Sequence, residues 1–135
     1  MDTVMSYEAT TNAIVVEVTP MFLEDDSDPD ENRFVWAYQV RIENQRADAV
    51  KLMRRFWQIT DAHGLVHEVS GEGVVGEQPM IAPGDAYEYT SGAPLGTPSG
   101  IMQGNYTMVA PDGRTFDVRI PAFSLDSPYE ARLMN

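Results

Sequence analysis

Phe34-Val35-Trp36-Ala37-Tyr38-Gln39-Val40-Arg41-Ile42-Glu43-Asn44 is the stretch whose reading decides the fold. Large apolar residues stand at every second position from Phe34 to Ile42. A period of two places them on one face of a β-strand, because successive side chains of an extended chain point to opposite sides. Aromatic and β-branched residues favour that conformation, so this aromatic face belongs to a core. Upstream, Ile14, Val16 and Val18 repeat the period. Between the two runs, residues 24–31 hold six acids in eight positions, which reads as a solvated loop.

Downstream, residues 44–48 read as a turn. Residues 50–60 then carry apolar side chains on both parities: Val50, Leu52 and Phe56 on one, Met53, Trp57 and Ile59 on the other. That pattern is expected of a strand covered on both faces at one end. Asp61-Ala62-His63-Gly64 is turn chemistry, and residues 65–69 return as the second arm of a hairpin. Residues 71–84, with Pro79 and Pro83, read as a long irregular loop. Tyr87 and Tyr89 restart the alternation, which ends at Ser91-Gly92, and residues 93–100 form a second loop. A strand over 101–109, a turn at Pro111-Asp112-Gly113 and a returning arm with Phe116, Val118, Ile120, Phe123 and Leu125 complete the pattern. The tail from Asp126 is expected to fray.

About seven strands with regular turn signals and no helical period predict an all-β, immunoglobulin/fibronectin type III-like antiparallel β-sandwich. The chain lacks cysteine, which excludes the immunoglobulin disulfide and favours the fibronectin type III variant. Pro83-Gly84-Asp85, Tyr87, Tyr89 and Tyr106 resemble the corner at which a tyrosine hydroxyl ties back to the backbone. Residues 1–135 are expected to form a single domain, with a core over about 7–128 and short flexible termini.

Twenty-one acids against nine lysines and arginines give a formal charge of −12. Such a chain repels phosphate, so neither nucleic acid nor an anionic membrane is an expected partner. Residues 1–12 lack a signal-peptide pattern, and no apolar run is long enough to span a bilayer, which points to the cytoplasm.

Gly71-Glu72-Gly73-Val74-Val75-Gly76 matches G-x-G-x-x-G and is the candidate ligand-binding segment, for a nucleotide or pyrophosphate. The dinucleotide form of that motif needs a helix after it, and Pro79 and Pro83 oppose one. Glu72 and Glu77 add negative charge, leaving backbone amides as the anion-binding groups. Asp26, Asp28 and Asp30 alternate as at the start of a calcium loop, but Glu31 and Ala37 stand where glycine and glutamate are needed. His63 and His67 are divided between a turn and a strand, so no metal site is expected from them. Arg54 and Arg55 point to opposite faces, and one arginine of this region is expected at an edge or paired with a carboxylate such as Glu43. No nucleophile motif is present, so no catalytic residues, no cofactor and no enzymatic activity are expected.

Trp57-Gln58-Ile59-Thr60-Asp61-Ala62-His63-Gly64, followed by residues 71–79, resembles the bacterial ApaG family. Tyr89-Thr90-Ser91-Gly92, Thr97-Pro98-Ser99-Gly100-Ile101-Met102, Gly104-Asn105-Tyr106 and Ile120-Pro121-Ala122-Phe123 fit the same family, as does Asp28-Pro29 followed by residues 34–38. The resemblance implies a fibronectin III-like, non-enzymatic interaction module of a bacterial cytoplasm, associated with cobalt resistance and magnesium efflux. It implies a protein partner, with pyrophosphate or nucleotide at residues 71–76 as the alternative ligand. Monomer and homodimer both fit the sequence.

Overall fold

The computed structural model describes residues 5–130. Its strands, in chain order, are β1 (Tyr7–Thr11), β2 (Ile14–Phe22), β3 (Phe34–Asn44), β4 (Val50–Asp61), β5 (Val66–Glu72), the two-residue β6 (Met80–Ile81), β7 (Ala86–Leu95), β8 (Gly100–Val109) and β9 (Thr115–Leu125). Single 3-10 turns stand at Glu24–Asp26 and Pro29–Glu31, and the acids of both are exposed.

All pairings are antiparallel. One sheet has the order β1-β2-β3-β7, the other β5-β4-β8-β9, with β6 also on β4. Together they form the expected antiparallel sandwich. The alternation that predicted β3 is realised: Phe34, Trp36, Tyr38, Val40 and Ile42 are buried, as are Ile14, Val16 and Val18 beside them. From the facing sheet come Leu52, Trp57, Met102, Tyr106, Met108, Val118, Ile120 and Phe123. Tyr38, Trp57 and Phe123 meet with ring centroids 5.3 to 6.0 Å apart, a spacing at which tilted and edge-on rings attract.

Several expectations need correction. β1 lies outside the strands expected from alternation; it joins β2 through a two-residue turn in which Asn12 and Ala13 both have positive φ, where glycine would be the usual signal. β7 does not end at Ser91-Gly92 but runs on to Leu95, paired with Phe34. The mixed parity of β4 is not double coverage. The register with β8 shifts between Leu52 and Arg54, so Met53 is an extra residue in a β-bulge. The bulge turns Trp57 to the face that Val50 and Leu52 occupied before it. A second shift in β9, where Ile120 and Pro121 are both buried, does the same for Phe123 and Leu125. Proline suits such a position because a bulge leaves an amide out of the ladder.

The tyrosine corner also differs. The Tyr106 hydroxyl meets the hydroxyl of Tyr89, not the backbone. Since Tyr89 lies on β7 and Tyr106 on β8, this bond joins the two sheets. Nor is the tail loose where it is described. Trp36 Nε1 donates to the Asp126 carbonyl at 2.7 Å, and the Tyr129 ring packs against Phe22 and Phe34. The rest of the expected fraying, at residues 131–135 and 1–4, falls outside the described residues.

On one side the sandwich is closed: β1 and β2 lie against β9, and Arg119 N donates to Thr11 Oγ1 at 3.1 Å. The sheet orders therefore put β7 and β5 at the opposite side, where each pairs on one edge only.

Candidate functional site

Gly71 and Glu72 end β5, and residues 73–77 form a tight reversal beyond it. Val74 and Glu77 exchange both backbone hydrogen bonds, at 2.8 and 2.9 Å. Between them Val75 and Gly76 take φ values of 42° and 82°, a left-handed pair that makes a hairpin turn. Val74 is fully buried and plugs the core beneath the turn. The next element is β6, so no helix follows Gly76. Gly73 N donates to Met53 O at 2.8 Å, and Gln78 Nε2 donates to the same carbonyl at 3.0 Å. The bulge at Met53 thus supplies the acceptor that anchors the glycine segment.

The same bulge sends Arg55 toward the space between the sheets. Its Nη1 donates to the carbonyls of Glu72 (3.0 Å) and Gly73 (2.9 Å). The guanidinium lies over Gly71, where a built Cβ would come 2.9 Å from Nη2. Arg55 has no carboxylate partner among the described residues, unlike Arg41, which pairs with Glu88 at 3.0 Å and Glu43 at 3.5 Å. The expected arginine–Glu43 pair is therefore present, on Arg41.

Arg55 forms one wall of a cleft of about 270 Å³ on the open side. Tyr38, Trp57, Ile59 and Met102 form its floor, Val69 of β5 overhangs it, and residues 91–94 of β7 form the opposite lip. The register explains the set: Tyr38 is opposite Ser91, and Trp57 opposite Val69, so each pair shares one face. Burial pushes the Tyr38 hydroxyl above its usual pKa, opposed by the nearby Ser91 hydroxyl and by the Arg55 charge. Behind it, burial holds Tyr89 and Tyr106 well above the ordinary tyrosine range. These hydroxyls stay protonated at neutral pH, and in the Tyr89–Tyr106 pair one donates while the other accepts. Tyr87, on the same strand, donates to Glu77 Oε2 at 3.0 Å.

The other sequence candidates do not join this cleft. His63 sits in the turn before β5 and His67 on β5, both exposed. Among the described residues no three histidine, aspartate or glutamate side chains gather as a metal-binding group. Sequence reasoning missed the cleft itself. The available signal was the change of parity between Leu52 and Trp57, which moves Arg55 to the inner face.

Two sheets in this order, with a bulged central strand and one open flank, define a β-sandwich domain of the fibronectin type III class. A family model described as ApaG domain matches residues 24–110. The chain is 58% identical over 129 residues to protein ApaG of Sinorhizobium fredii and 60% identical over 129 residues to that of Paramagnetospirillum magneticum, in each case covering 96% of this chain and 99% of the relative. The putative ApaA protein from Bordetella pertussis superimposes with a TM-score of 0.83 at 46% identity, covering 85% of this chain and 94% of that one. The chain belongs to the ApaG family. Among the described residues no helix is long and apolar enough to cross a membrane.

Proposed function

We propose that this chain is a non-enzymatic binding module that takes a protein partner on the open flank between β5 and β7. The observation that carries this reading is the exposure of apolar side chains there. Val69 is 44% exposed at the rim of the cleft floored by Trp57, and Leu65 and Val66, where the same edge strand begins, are 61% and 52% exposed. Apolar surface of this kind beside an unpaired strand edge suits a partner that covers both. The cytoplasmic setting and the role in cobalt and magnesium physiology that the family resemblance implies would then be exercised through that partner. The alternative ligand, pyrophosphate or nucleotide at residues 71–76, has less support. Gly73 and Val74 already donate their amides within the protein, and Glu72 and Glu77 flank the turn.

Capture from native bacterial lysate tests the module. Val69→Asp changes a half-exposed edge-strand position, so stability should fall by no more than about 1 kcal/mol. The wild-type chain and Glu17→Lys, on the other sheet, should retain a specific partner that Val69→Asp loses. Equal capture by all three chains, or none by the wild type under any growth condition, would contradict the reading.

A further inference from the structure

The guanidinium of Arg55 is held in place yet incompletely used. Its Nη1 is occupied by the Glu72 and Gly73 carbonyls, whereas its Nη2 and Nε groups have no acceptor among the described residues. The group is seated on Gly71 at the wall of a cleft that also presents the Tyr38 and Ser91 hydroxyls. A planar guanidinium with N–H groups to spare is suited to a carboxylate. The remaining lining, Trp57, Ile59, Val69 and Met102, is apolar.

From these features, and resting on the module reading above, we propose that the cleft receives the free C-terminal carboxylate of a partner peptide whose last side chain is apolar. Charge decides between anions. One guanidinium faces the cleft, Glu72 and Glu77 stand on the adjoining hairpin, and the chain carries −12 overall. A monoanion is matched by that single cation, whereas a polyphosphate would bring excess negative charge into an acidic surface. Size points to a single side chain, since about 270 Å³ is below the range of drug-sized pockets. The preceding residues of the peptide would lie along the unpaired edge of β5 or β7, where main-chain hydrogen bonds are available.

Amide and arginine-side-chain shift titrations of the labelled, full-length chain test this. The probe is an N-acetylated pentapeptide ending in phenylalanine, offered as the free acid and as the C-terminal amide. The free acid should shift Arg55 Nε–H and the amides of Gly71, Ser91 and Gly92, and amidation should weaken binding about tenfold or more. Tyr38→Phe and Ser91→Ala, which keep charge and volume nearly unchanged, should each weaken the free acid severalfold. Arg55→Gln should abolish the difference between acid and amide. Because Arg55 also holds the Glu72 and Gly73 carbonyls, the two hydroxyl variants carry the test if Arg55→Gln fails to fold. Equal binding of acid and amide in the cleft overturns the carboxylate anchor while leaving the module standing. N-acetylphenylalanine binding as tightly as the pentapeptide overturns the peptide assignment in favour of a small carboxylate. Absence of shifts in the cleft at millimolar free acid overturns the proposal, and lysate capture by the Val69 variant then decides the module separately.

Discussion

Gly71 has no side chain where the Arg55 guanidinium lies, and Gly73 has none where the Glu77 carbonyl turns back on it. The two positions should therefore respond differently to alanine. In Gly71→Ala the new Cβ meets the end of a flexible side chain, so Arg55 can shift, at a cost of about 1–2 kcal/mol. In Gly73→Ala the Cβ overlaps backbone and φ is 62°, so about 3 kcal/mol or more is expected. Urea midpoints of the two variants check the order, and a larger loss at Gly71 would contradict it. The letters of the glycine motif were legible in the sequence, and so was the absence of a helix after it. The reasons for the glycines were not, because they lie in Arg55 on a neighbouring strand and in the turn at Val75 and Gly76. Arg55 itself read as one of two adjacent arginines, and its freedom from carboxylates depends on which side of a bulge it falls.

Strands were legible wherever alternation was unbroken. Phe34 to Ile42 gave β3 directly, and Ile14 to Val18 gave β2. Bulges hid the rest, because an inserted residue reverses which parity faces inward. At Met53 the reversal resembled a strand buried on both faces, and at Pro121 it divided β9 between Ile120 and Phe123. β1 was obscured by Asn12-Ala13, which adopts a glycine-type turn without glycine. The bulge at Met53 also has a consequence that can be measured. Deleting Met53 would align Arg54 with the position Met53 left, turning Trp57 outward or forcing β4 to slip against β8 and β5. Loss of the buried Trp57 alone is worth about 3–5 kcal/mol, so the deletion variant is expected to be unfolded or aggregated. A native-like circular dichroism spectrum with a cooperative melt would show that the bulge is dispensable.

At the scale of the whole molecule, the sandwich is tied shut by β1 over β9 and by the Tyr89–Tyr106 hydroxyl pair, and it is open at β5 and β7. Burial keeps both tyrosines protonated in the folded chain beyond the pH at which unfolded tyrosine ionises, near 10. Below about pH 10 the pair leaves stability independent of pH, and above it the unfolded chain sheds protons that the folded chain retains, so stability falls as pH rises. Tyr106→Phe leaves the Tyr89 hydroxyl without this partner and should cost about 1–2 kcal/mol at neutral pH, with a shallower alkaline decline. Urea unfolding from neutral pH to about 11 reads both effects, and an alkaline decline as steep as that of the wild type would contradict them. The aromatic core around Trp36 was legible from composition and period. The open flank was not, because it follows from sheet order, which places the edges of β5 and β7 together though neither sequence marks them. A photo-reactive residue placed at Val69 in living cells tests that flank most directly. A discrete cross-link to another protein from position 69, absent from the same residue placed at Glu17, is the expected result. No adduct at position 69, or equal adducts at both positions, would contradict recognition through the open side.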